Sequence, residues 1–166
     1  MKKIRVYGDR VLRSPAHEVK KIDGRLLALI REMKETVGAV GGMGLAAPQV
    51  GAGKRLCVVR DAAREKILTL INPHIVETSG AVIDMEGCLS FPGIYIAIER
   101  PSRVVVAALN EHGKEFVWET TNYEARCVSH EIDHLDGVLI IDYACEEEKS
   151  AWAEQLGRLQ QIARKR

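Results

Sequence analysis

The five residues His130-Glu131-Ile132-Asp133-His134 constrain the fold of this chain more than any other stretch. They match the pattern H-E-x-x-H. In a helix, residues i and i+4 lie one above the other on one face, so the two imidazoles can close on a single divalent metal. Glu131 follows the first histidine directly and points away from the ligand direction, towards the place of a water on that metal. Metal-assisted hydrolysis needs this layout: the metal lowers the pKa of the water and a carboxylate carries the proton. Tyr123, Val128, Ile132 and Leu135 add apolar positions, so the helix is expected inside the protein. A buried helix with two histidines and a glutamate needs partners for those groups, and a metal supplies one. The plainer alternative is a charged surface helix that carries two of the chain's five histidines at this spacing by chance.

A chain of 166 residues is expected to form one domain with a proper core. A 46% apolar and 28% charged composition is ordinary for a globular protein, and a net charge of +1 points to neither nucleic acid nor a membrane surface. No window has the apolar length of a transmembrane helix. The opening Met1-Lys2-Lys3-Ile4-Arg5-Val6 is basic and lacks the apolar core of a signal peptide. Cys57, Cys88, Cys127 and Cys145 are widely spaced with no C-x-x-C pair, which fits a reducing cytoplasm better than a disulfide scaffold.

Apolar residues at three- and four-residue steps predict a first helix over Arg25–Val40, with Asp23 as its cap and Gly41-Gly42 as its stop. Strands are expected at Arg55–Arg60, at Ile67–Ile71 (ended by Asn72-Pro73), at Ile94–Ile98, at Arg103–Leu109 and at Glu115–Thr121. Asn110 to Gly113 reads as the hairpin turn between the last two. The motif helix is expected from Tyr123 to Leu135, followed by a short strand at Val138–Ile141 and a last helix from Glu146 to Ala163. Strands clustered ahead of the motif helix favour an α+β fold of mostly antiparallel strands around a central metal-binding helix, with one helix towards each end.

A catalytic zinc-type site takes three protein ligands and keeps one position open. Downstream of His134 the candidates are Asp142 and Glu146 to Glu148, with no third histidine at the metzincin spacing. Upstream, Cys88 in Glu86-Gly87-Cys88-Leu89-Ser90 is either a thiolate ligand or a small buried core residue. Gly42-Met43-Gly44-Leu45-Ala46-Ala47-Pro48-Gln49 is not a dinucleotide fingerprint, because it follows a helix and lacks the third glycine. Its glycines allow a close approach of backbone to a ligand, and Gln49 offers an amide donor for an oxyanion. Alternatively the segment is a helix stop and loop.

Taken in order, Gly42–Gln49, Glu86–Ser90 and His130–His134 resemble the three motifs of the peptide deformylases, G-x-G-L-A-A-P-Q, E-G-C-L-S and H-E-x-D-H. Val6 to Arg13 also resembles that family's N-terminal strand and turn, and the likeness runs to about Ile141. The resemblance implies removal of the formyl group from the N-terminal formyl-methionine of new polypeptides, with release of formate. It implies one divalent ion per chain, Fe²⁺ in the cell and replaceable by Ni²⁺, Co²⁺ or Zn²⁺, held by Cys88, His130 and His134. Glu131 would then take the water's proton and return it to the leaving amine. The Gln49 side chain and the Leu89 backbone N–H would hold the developing oxyanion. Substrate backbone would pair with Met43 and Gly44 and with strand edges near Ile94.

The resemblance also pairs Glu86 with Arg100, the alternative being two surface charges. Met43, Tyr123, Cys127 and the stem of Arg126 are candidates for the apolar pocket of the methionine side chain, since Arg126 and Cys127 precede His130 by four and three residues; the alternative is ordinary packing for Cys127 and a solvated charge for Arg126. Ser129 stands where the family commonly has Gln, so altered packing beside the metal helix is expected. Tyr143 replaces a usual Arg after Asp142. The basic end, Ala163 to Arg166, is a candidate for transient contact with the ribosome, the source of the N-formylated nascent peptide. The rival readings are a zincin-type endopeptidase, which needs a downstream third ligand, and a non-catalytic metal- or peptide-binding relative, which has no need of Glu131 or Gln49.

Overall fold

The computed structural model describes residues 2–165. Its organising element is β2 (Leu56–Asp61), whose first four residues are all buried. Alternate side chains of a strand point to opposite faces, and here both faces are covered. Cys57 and Val59 join a core with Val128, Ile132 and Leu135, whereas Leu56 and Val58 join a second core with Ile30, Met33 and Val37. The sheet is thus sandwiched between α1 (Gly24–Val40) and α2 (Asn122–Leu135).

The helix α1 begins where Asp23 accepts hydrogen bonds from the N–H groups of Arg25 and Leu26, two donors that the first turn cannot pair itself. It ends at Gly41, which takes the left-handed conformation of a C-cap (φ 65°). The main sheet is antiparallel in the order β1 (Gly44–Ala46), β2, β3 (Lys66–Ser79), β6 (Arg103–Leu109) and β7 (Glu115–Thr121). Strands β6 and β7 have the expected bounds, and the Asn110 N–H closes their turn on the Lys114 carbonyl.

Several expectations need correction. Asn72-Pro73 does not end β3: the register shifts between Ile71 and His74 and pairing with β6 then resumes to Ser79. Asn72 absorbs the bulge at φ 51°, a conformation Asn tolerates, and its amide pairs with both Val19 N–H and Val19 C=O. Val138–Ile141 is not a strand. Asp142 accepts from Leu139 N–H, and Ile140–Asp142 closes into one 3₁₀ turn that buries Ile140 and Ile141. The last helix is two, α3 (Glu146–Ala151) and α4 (Ala153–Arg164), because Trp152 leaves helical geometry (φ −93°, ψ 2°). That break lets Trp152, Leu156 and Leu159 pack against one cluster.

That third cluster is built on β5 (Phe91–Arg100), whose Phe91, Ile94, Ile96 and Ile98 are buried. Among the described residues it pairs only with β4 (Val82–Cys88), in a two-stranded sheet. Near the N-terminus, Val6 to Arg13 forms a turn and a 3₁₀ helix (Arg10–Arg13) in place of the expected strand. Isolated backbone bonds hold this segment, from Arg5 N–H to Gln49 C=O and from Tyr7 N–H to Ser90 C=O. It thereby ties together the two loops that bear Gln49 and Cys88.

Candidate metal centre and cleft

Ten of the fourteen residues of α2 are buried, among them Arg126, Ser129, His130, Glu131 and His134. Burying five polar side chains on one helix is costly unless each is paired. Ser129 pairs within the helix, donating to the Ala125 carbonyl at 2.8 Å. Its hydroxyl is thereby satisfied within the helix.

The histidines face Cys88 at the end of β4. The ligating atoms of Cys88, His130 and His134 all lie within 4.8 Å of one another, and Cys88 Sγ is 3.2 Å from His134 Nε2. Glu86, two residues before Cys88, places Oε1 2.7 Å from His130 Nδ1. This fixes the ring and leaves Nε2 for a metal. Burial, and then the proximity of His130, holds His134 well below the usual histidine range, in the neutral form that ligates metals. For His130 burial acts in the same direction, but the Cys88 sulfur and Glu86 outweigh it and favour the proton. One cysteine sulfur and two imidazole nitrogens make a donor set that would suit a divalent ion of the zinc or ferrous type.

Glu131 stands beside this set with Oε2 buried and unpartnered. Burial, its largest influence, pushes its carboxyl up to about 7. A carboxyl so poised can take and return a proton near neutrality. Gly44 makes room for it: a Cβ there would lie 2.5 Å from Glu131 Oε1 and 2.9 Å from Cys127 Sγ. The glycine segment is thus more than a helix stop, because Gly44 opens an edge strand laid against the carboxylate.

Gln49 is 1% exposed, in a 3₁₀ turn (Ala47–Val50). Its Oε1 accepts from Ala46 N–H at 2.8 Å, which turns Nε2 towards Ser90 Oγ (3.3 Å) and Cys88 Sγ (3.6 Å). A donor amide therefore faces the Cys88 sulfur.

A cavity of about 540 Å³ opens over these groups. Met43, Gly44, Gln49, Glu86, Cys88, Leu89, Tyr123, Arg126, Cys127, His130 and Glu131 line it. His134 lies behind Cys88 and does not. Arg100 does not reach the cavity either, so the structure gives it no contact with a bound substrate. It lies behind Glu86, to which it makes a bidentate bond at 2.7 and 3.1 Å. Arg100 also donates to Asp133 at 2.6 Å, and Tyr143 donates to the same carboxylate at 2.8 Å. Tyr143, itself partly exposed, thus adds a hydroxyl at the Asp133 end of this network. Arg126 reaches the cavity wall, but its guanidinium is turned inward to Glu86 (3.1 Å) and to the carbonyls of Ile98 (3.0 Å) and Val82 (2.8 Å). Met85 and Tyr95 also line the cavity and were not anticipated. Val82 to Met85 shows no alternation, so β4 left no pattern in the sequence to place them.

Residues 1–150 match the family model described as polypeptide deformylase. The chain is 50% identical over 148 residues to peptide deformylase 1 of Clostridium acetobutylicum, covering 89% of this chain and 97% of that protein. The crystal structure of the peptide deformylase from Thermus thermophilus superposes with a TM-score of 0.92 at 38% identity, covering 98% of this chain and 99% of the other. The Synechococcus elongatus enzyme, solved in complex with actinonin, gives 0.86 at 41% identity, covering 93% and 87%. The site geometry and these likenesses agree, and the chain belongs to the polypeptide deformylase family.

Proposed function

We propose that Glu131, Gln49 and Leu89, around an ion held by Cys88, His130 and His134, carry out the activity of this family. That activity is hydrolysis of the formyl group from the N-terminal formyl-methionine of newly made polypeptides. The observation that carries the assignment is the convergence of three ligating atoms within 4.8 Å beside a buried, unpartnered Glu131 oxygen. A divalent ion held by these three side chains would supply Lewis acidity and would make a nearby water more acidic, towards a pKa of about 7. Among candidate ions Fe²⁺ is our choice; Zn²⁺, Ni²⁺ and Co²⁺ suit the same thiolate–imidazole set.

The residues divide the remaining work. Glu131 takes a proton from the attacking water as its oxygen adds to the formyl carbon. Gln49 Nε2 and the Leu89 N–H donate to the formyl oxygen as it gains charge. When the C–N bond breaks, formate departs and Glu131 returns the proton to the amine. Met43, Tyr123 and Cys127 receive the methionine side chain, with Gly44 and Met43 offering backbone to the peptide. Glu86, backed by Arg100 and Arg126, orients His130 from the cavity wall.

We take residues 1–166 as one catalytic domain working in the cytoplasm on N-formylated nascent peptides. No helix among the described residues is long and apolar enough to cross a membrane. Transient ribosome contact is assigned to the C-terminal region. Arg164 and Lys165 of its basic end are described, and Arg166 lies outside the described residues. Formate release from formyl-Met-Ala-Ser is the direct test. Activity on that peptide, without cleavage of internal bonds in unformylated peptides, is expected; the reverse pattern overturns the proposal.

A further inference from the structure

The sheet of β4 and β5 has two unlike faces. Glu86, Ile96 and Ile98 turn inward and are buried. On the other face the register sets Gly87 opposite Tyr95, Met85 opposite Ala97 and Ile83 opposite Glu99, and all six are exposed. Ile83 is 67% exposed, Met85 56% and Tyr95 55%. Cross-strand partners on one face touch, so Tyr95, Met85, Ala97 and Ile83 form a continuous apolar strip with Glu99 at its far end. Solvent-facing strand positions ordinarily carry polar side chains, and a contiguous apolar run marks a contact surface.

Where the strip begins indicates what covers it. Gly87, Met85 and Tyr95 line the catalytic cavity, so strip and cavity are one surface. A cavity of about 540 Å³ suits a ligand of drug size. It takes formyl-methionine and a short following stretch, whereas the substrate is a polypeptide whose remainder must leave through the mouth. From Gly87 to Ile83 the strip extends four residues, about 13 Å at roughly 3.3 Å per residue. We infer that the outer face of the β4–β5 hairpin is a docking strip for the nascent chain just beyond the residues held in the cavity, and that it favours apolar side chains there. The inference rests on the deformylase reading of the cavity.

The test compares formyl-Met-Ala-Ser with two formylated octapeptides that begin Met-Ala-Ser-Gly. Residues five to seven are Leu-Val-Leu in one and Ser-Ser-Ser in the other. Wild type and Ile83→Ser are assayed together; Ile83 is outside the cavity and exposed, so its replacement leaves the fold in place. The apolar octapeptide is expected to show a kcat/KM about tenfold above the serine one, carried by KM. Ile83→Ser should cut that advantage to about twofold while turning over formyl-Met-Ala-Ser like wild type. Equal kcat/KM for the two octapeptides, or an advantage that survives Ile83→Ser, overturns the inference. A wild-type dimer that Ile83→Ser converts to monomer, with no octapeptide preference, assigns the strip to a second copy of the chain and also overturns it. No formate from formyl-Met-Ala-Ser would instead sink the deformylase reading itself.

Discussion

Glu86 Oε1 lies 2.7 Å from Nδ1 of His130, so a carboxylate two residues before Cys88, one proposed metal ligand, orients His130, another. The same carboxylate bonds Arg100 and Arg126, and all four side chains are buried or nearly so. Partners of this kind typically raise metal affinity by about 10- to 100-fold. Glu86→Gln is therefore expected to weaken metal binding by that range, measured by competition with a chelator. Unchanged affinity would show that His130 is oriented by packing alone.

The same network has a pH signature. Burial pushes the Glu86 carboxyl up, but His130 and Arg100 outweigh it and hold it at about 2, below its usual 4.5. A depressed carboxyl contributes stability above its unfolded pKa and loses it as pH falls through the folded one. Between pH 6 and pH 3 the contribution should fall by about 2 kcal/mol. Urea unfolding of metal-free wild type and Glu86→Gln at pH 6 and pH 3 reads this as a difference: wild type should lose more stability than the variant. Parallel losses would remove Glu86 from the account.

Gly44 should not tolerate a methyl group. A Cβ there would fall 2.5 Å from Glu131 Oε1, so Gly44→Ala must displace the carboxylate or lift the edge strand. A displacement near 1 Å at a catalytic group can cost about 10²-fold. Turnover should drop by about that factor with metal content unchanged, because Gly44 touches no ligand of the set. Wild-type turnover would mean that Glu131 has room to spare.

Gln49 presents a different loss. Its Oε1 is occupied by Ala46 N–H while Nε2 faces the sulfur of Cys88. Removing a donor to a developing oxyanion typically costs about 10²–10³ in kcat. Gln49→Ala should show that fall with little change in KM. A rise in KM at constant kcat would make Gln49 a ground-state contact only.

Much of this was readable from residue order, for physical reasons that differ by element. The helix α1 announced itself because Asp23 and Gly41 mark its ends and one apolar face repeats every turn. Strands β6 and β7 were equally plain, being regular strands joined by a short polar turn. Strand β4 was not, since its exposed Val82, Ile83 and Met85 break the alternation that signals a half-buried strand. Asn72-Pro73 misled because a bulge and a strand end use the same residues. At the site, the spacing of His130 and His134 needed only helical geometry. Cys88 needed the order of three motifs, because its meeting with them spans 46 residues of chain. The role of Arg126 was hidden, since nothing local to α2 tells that its guanidinium turns inward to Glu86 and the Val82 carbonyl.

Formate release by Glu131→Gln, with metal content determined on the same sample, probes the proton carrier most directly. In the proposed mechanism Glu131 is the group that meets the reacting water, and the hydrogen bonds of Cys88, His130 and His134 run to other partners. The variant should therefore keep its metal and lose about 10²–10⁴ in kcat on formyl-Met-Ala-Ser. A variant that keeps both its metal and its full activity would contradict the assignment of Glu131 as the group that moves the proton.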